Sequence, residues 1–206
     1  MDDITAREKG YDTALRAVRD ELQGADIRTR CSVLGIDYEE QGNMLVFTAF
    51  GEAVALDTGT LELFLQESAV PADVRVQILV LRYLVCDFFL KTSGKLISYR
   101  ELPGGSFYMG PFRGRTVVPL VKRIGNDVQE LRRRMERFSW RDIGTGDFGA
   151  ALHLLGALEM VLIYRAGDEE FPPDADILFD ESVKRVYSAE DIAVMSARMC
   201  GKLIHG

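Results

Sequence analysis

Residues 148–165 read FGAALHLLGALEMVLIYR. Two apolar runs, FGAALHLL and LEMVLIYR, flank the pair Gly156-Ala157. Short apolar runs bounded by a turn signal fit buried strands. A two-residue connection joins antiparallel neighbours. The stretch therefore predicts a β-hairpin.

Helical spacing surrounds it. Upstream, Asn126 stands at a cap position with Gln129 three residues on. Val128, Leu131, Met135 and Phe138 then recur at helical spacing. Downstream, Ser188 and Asp191 make a capping-box pair, with Asp a weaker partner than Glu or Gln. Ile192, Met195, Met199 and Leu203 continue as one stripe.

The first ninety residues repeat the mixture. Ile4, Tyr11, Leu15, Val18 and Leu22 predict a helix over 4–22, and a short helical turn follows over 25–33. VFTAF (46–50) and AVAL (53–56) read as strands separated by Gly51-Glu52. A glycine-first pair suits a type II′ turn. LELFL (61–65) adds a strand. Pro71 suits the first turn of a long apolar helix over 71–91, placed at the centre of the core. Residues 94–126, rich in glycine and proline, are the least regular. ISYRELPGG (97–105) reads as a short strand entering a loop, and a short helix over 112–123 has Pro119 against it. The sum is an α+β fold, a small antiparallel sheet or hairpins packed against several helices, in one domain over 1–206.

Composition narrows the function classes. With 47% hydrophobic and 28% charged residues, the chain reads as an ordinary soluble protein. A net charge of -7 argues against coating nucleic acid. Cys31, Cys86 and Cys200 are scattered and odd in number, which points to reduced thiols and a cytoplasmic location. The opening MDDITAREKG is acidic and polar, unlike a secretory leader. The most apolar stretch, 78–90, is short and contains Arg82 and Asp87, so no membrane span is expected.

Two loops carry the candidate chemistry. Residues 167–181 hold Asp168, Glu169, Glu170, Asp174, Asp176, Asp180 and Glu181 and no basic residue. One reading is a hard cation held by oxygens, although the spacing is not that of an EF-hand calcium loop. Another is an acid–base pair drawn from Glu169 and Glu170, with no nucleophile beside it. The favoured reading is a capped turn. In it, Asp168 accepts from backbone amides, Phe171 packs inward, Pro172-Pro173 stiffen the exit, and Asp174 caps a short helix over ILFD.

The second loop is YRELPGGSFY (99–108). Arg100 offers a fork for phosphate or carboxylate, and Gly104-Gly105 let backbone approach a ligand. The stretch matches neither GxxxxGK[ST] nor GxGxxG. An Arg100 pair with Glu169 or Glu170 would join the two loops. Residues 122–141 carry seven basic and three acidic side chains, with Asp142 next, which reads as a solvated helix face before a nucleic-acid surface. His153 and His205 have no partner at ligand spacing, and GxSxG does not occur.

ISYRELPGGSFY (97–108) and YRAGDEEFPPDADILFDESVKRVYSAEDIAVM (164–195) resemble segments of an uncharacterised bacterial and archaeal family, domain of unknown function 3786 (DUF3786). The resemblance implies no catalytic residues. Its members are common in anaerobes, and some resemble fusions with an iron–sulfur cluster domain. That implies anaerobic redox or one-carbon metabolism. This chain has no cluster motif, so the cluster would sit on an iron–sulfur protein partner. The resemblance draws attention to Arg100, Glu101, Gly104 and Gly105, and to Asp168, Glu169, Glu170 and Asp180.

The expectation is an accessory or small-ligand-binding protein holding a small anionic ligand near Arg100 and the glycine loop. One alternative is a divalent-metal-dependent enzyme using Asp168, Glu169 or Glu170. The other is a structural interaction module, such as a homodimer. No cofactor is assigned.

Overall fold

The structure, a computed structural model, describes residues 2–86 and 91–205, with side chains described from residue 9 onward. The Ile4 side chain and the 87–90 end of the expected long helix lie outside the described residues. The chain divides into two compact units, Met1–Leu90 with Leu155–Ala157 and Lys91–Leu154 with Leu158–Gly206.

The first unit opens with helices α1 (Asp2–Glu21) and α2 (Ile27–Val33), the latter capped by Asp26, which accepts from Thr29 N. Strands β1 (Glu39–Gln41), β2 (Met44–Ala49), β3 (Glu52–Asp57) and β4 (Leu63–Leu65) form an antiparallel meander in sequence order. Leu45 faces Leu56 and Phe47 faces Val54 in register, and all four are buried. Helix α3 (Val74–Val85) buries most of its circumference, and α1 packs on it.

Two expectations shift here. Ala49 pairs with Glu52, so the central turn residues are Phe50-Gly51, with φ 51° and 70°. Two positive φ values make the type I′ geometry instead of II′. Phe50 is fully buried, and core packing holds it in a conformation its Cβ disfavours. Helix α3 starts at the Asp73 cap, beyond Pro71. Its expected first turn is drawn into the sheet: Leu65 N donates to Val70 O and Ala72 N donates to Leu63 O. At the other end, Arg30 donates to the Leu84 and Val85 carbonyls, both at 3.0 Å, satisfying groups a helix terminus leaves open.

The second unit contains strand β5 (Leu96–Ser98), a 3₁₀ turn (Tyr99–Glu101), helices α4 (Gly105–Arg115), α5 (Val117–Ile124) and α6 (Val128–Met135), and strand β6 (Trp140–Asp142). Then come β7 (Phe148–Leu155), β8 (Leu158–Arg165), β9 (Asp174–Asp180), a 3₁₀ turn (Glu181–Arg185) and α7 (Ala189–His205). The sheet order is β5-β9-β8-β7-β6. The expected hairpin is β7–β8, turning at Gly156-Ala157. Met160, Leu162 and Tyr164 stand opposite Phe179, Ile177 and Ala175, and all six are buried. Helix α5 packs against both β9 and α7.

The capping box of α7 closes in both directions: Asp191 N donates to Ser188 Oγ, and Ser188 N donates to the Asp191 carboxylate. Three details differ from expectation. ILFD belongs to β9, where buried and half-buried residues alternate, and is not a helix. Asp127, not Asn126, caps α6 by accepting from Glu130 N at 2.9 Å. Residues 105–115 are helical despite Gly110, Pro111 and Gly114.

The basic stretch 122–141 is largely engaged within the protein. Arg133 and Arg134 bond Glu130, Arg132 sits 3.7 Å from Asp142, and Arg141 pairs with Glu159. Arg134 donates to the Leu203 and Ile204 carbonyls at 2.9 Å, and Arg137 to the Lys202 carbonyl. Cations thus close the C-terminal end of α7, where the dipole favours them. None of the described helices is long and apolar enough to cross a membrane.

Candidate functional site: a groove beneath the acidic loop

The second unit contains an open groove of about 1030 Å³. Arg113 of α4 and Val117, Val118, Val121 and Lys122 of α5 line one side. Gly146, Asp147 and the segment leaving β8, with Arg165, Asp168, Phe171, Pro172, Pro173 and Asp174, line the other.

The loop wall is built by its own polar groups. Asn126 Oδ1 accepts from Gly167 N at 2.8 Å, and Asn126 Nδ2 donates to Gly167 O at 3.1 Å. Asp147 Oδ2 accepts from Ala166 N at 2.8 Å. Asp168 Oδ1 accepts from Glu170 N and Phe171 N, both at 2.8 Å. These amides, Phe171 first, hold the Asp168 carboxyl below its usual range. Gly167 admits no side chain: a Cβ there would lie 2.7 Å from Pro173 N and Cδ. The capped turn around Asp168 is therefore present as expected. Phe171 differs, because it is 67% exposed and lines the groove instead of packing inward.

Both arginines of the groove are ion-paired. Arg113 bonds Asp174 at 2.7 Å, and Arg165 bonds Asp176 at 2.7 Å. Burial raises the Asp174 pKa, but the hydrogen bonds from Arg113 and the Ala175 amide, with the charges of Arg113 and Arg165, together outweigh it and the net shift is downward. Lys122 is exposed and makes no ion pair among the described residues.

Of the eight residues singled out from sequence, Asp168 lines this groove. Glu169 and Glu170 are exposed beside it, and neither pairs with Arg100. Arg100 is exposed on the 3₁₀ turn, and its carbonyl accepts from Ser106 Oγ. Glu101 accepts from Ser98 N at 2.7 Å and Ser98 Oγ at 3.0 Å, and the Ser98 amide leads in lowering its pKa. Gly104 adopts φ 77° ahead of α4. Gly105 is buried, with the Tyr99 carbonyl where a Cβ would go. Asp180 accepts from Ser93 N at 2.9 Å, Gly94 N at 2.8 Å and Ser182 N at 2.9 Å.

Sequence reading passed over Arg113, Val117, Val118 and Val121, and weighed Lys122 only within the basic stretch 122–141. The pairs 117/121 and 118/122 were the available signal, two i,i+4 repeats on one short helix. Pro119 between them masked the helix.

Among the described residues, no group of three His, Cys, Asp or Glu side chains is arranged to hold a metal ion. The three cysteines are buried and unpaired with one another. Burial pushes the Cys31 and Cys200 thiols up to about 12, so both are neutral at pH 8. In the native protein neither is expected to react with Ellman's reagent within minutes, and both are expected to react after denaturation. Rapid native labelling of either, located by peptide mapping, would contradict this.

Phe107 and Tyr108 on α4 are exposed, Phe107 at 89%. No curated protein and no solved structure matches the chain. A family described as "Domain of unknown function (DUF3786)" matches residues 26–202, most of the chain and parts of both units. The chain belongs to the DUF3786 family.

Proposed function

We propose that this is a small-ligand-binding protein whose site is the α5–acidic-loop groove of the second unit. One observation carries the reading. The groove has the size of a ligand site, and valines, a phenylalanine and two prolines line it with a few convergent charges. The site lies at Lys122 and Phe171, away from the Arg100 loop favoured from sequence. Asp168 contributes by shaping the wall, its Oδ1 accepting from the Glu170 and Phe171 amides. We keep the reading of one functional domain, supported by a single family match across both units. The iron–sulfur partner and the link to anaerobic metabolism rest on family resemblance alone.

The test is native mass spectrometry of protein purified gently from its own source, paired with amide hydrogen exchange. The expected result is a retained mass of a few hundred daltons. Its removal should speed exchange in residues 117–124 and 166–173. A bare chain, with exchange there unaltered by small-molecule extract from the same cells, would overturn the reading.

A further inference from the structure

We propose that the groove accepts an amphipathic monoanion, a flat apolar body carrying one carboxylate- or sulfonate-type group, and not a phosphate-rich ligand. This rests on the ligand-binding reading above.

The argument begins with donors. A loop that cradles phosphate offers free backbone N–H groups to it. Of the N–H groups from Ala166 to Phe171, all but that of Glu169 are already taken. Ala166 N donates to Asp147, Gly167 N to Asn126, and Glu170 N and Phe171 N to Asp168. The protein's own side-chain oxygens fill the positions that phosphate oxygens would need.

Cations give the same answer. Three line the groove: Arg113, Lys122 and Arg165. Two are held at 2.7 Å by Asp174 and Asp176. Lys122 remains, an ammonium that serves one negative charge as a point donor. A second charge on the ligand would meet Asp147, Asp168 and Asp174 along the same lining. The rest of the surface asks for apolar contact: Val117, Val118 and Val121 on α5 face a lining that contains exposed Phe171 and two prolines.

Two fluorescent probes separate charge from shape. 8-Anilinonaphthalene-1-sulfonate carries one sulfonate, and N-phenyl-1-naphthylamine has the same rings without it. The folded wild type is expected to bind the sulfonate up to about fivefold tighter, the scale of one partly exposed charge contact. Lys122→Gln is expected to erase that preference and leave the neutral probe unchanged. Phe171→Ser is expected to weaken both, and millimolar pyrophosphate is expected not to displace the sulfonate. Equal binding of both probes to wild type and Lys122→Gln, or displacement by pyrophosphate, overturns the monoanion inference while the groove stands. Failure of both probes to bind, or indifference of both to Phe171→Ser, overturns the groove itself. Far-ultraviolet circular dichroism confirms that each variant is folded.

Discussion

Gly105→Ala is expected to destabilise the second unit by about 3 kcal/mol, the upper end of what overpacking costs. A Cβ at this position would lie 1.9 Å from the Tyr99 carbonyl oxygen and 3.0 Å from its carbon. The obstacle is backbone, so no side-chain rotation relieves it. Either the 3₁₀ turn or the first turn of α4 must move. Tyr99 is not free to follow, because its ring is stacked on Phe112 at 4.0 Å and both are buried. Gly110 and Gly114 supply the control, since nothing lies within 4 Å of a Cβ at either. Alanine there should stabilise the helix by up to about 1 kcal/mol. Trp140, the only tryptophan, lies in the second unit and reports its unfolding. Urea titration followed by its fluorescence therefore gives opposite signs for Gly105→Ala and Gly110→Ala. Equal midpoints would show that the close approach is not held in solution.

The next largest effect is expected at Asp180. Burial pushes its pKa up, but the hydrogen bonds from Ser182, Ser93 and Gly94 outweigh this and bring it down to about 2. An unfolded aspartate titrates near 3.8. The folded state therefore holds its proton less tightly. Its contribution is fully present above about pH 4 and is lost as pH falls toward 2. The gap corresponds to about 2 kcal/mol. Asp180→Ala is expected to cost about that much at pH 7, because the amides of Ser93, Gly94 and Ser182 lose their acceptor. Asp180→Asn is expected to flatten the difference in stability between pH 4 and pH 2. Parallel acid limbs for wild type and variant would contradict the assignment.

Legibility followed how local each signal is. The β7–β8 hairpin could be read because its two apolar runs and the glycine between them lie within 18 consecutive residues. The α7 cap could be read because its donors and acceptors are three residues apart. Helix α4 could not. Its glycines and proline argue against a helix, and what supports it is tertiary, the burial of Phe112 against Tyr99. The strand β9 was misread because Asp174 resembles a cap. Its pairing with β8 closes across the loop from Ala166 to Pro173 (Arg165 opposite Asp174), which is longer than a tight turn and carries no compact hairpin signal. The groove was half legible. Its acidic wall stands out in composition, whereas α5 is short and carries Pro119 in its first turn.

The twin hydrogen bonds between Asn126 and Gly167 have a thermodynamic meaning. They tie the end of α5 to the loop that carries Phe171, so both sides of the groove share one anchor. The two bonds fix the spacing at this junction. On the proposed ligand-binding reading, a site held together in this way would spare its guest part of the ordering cost of docking.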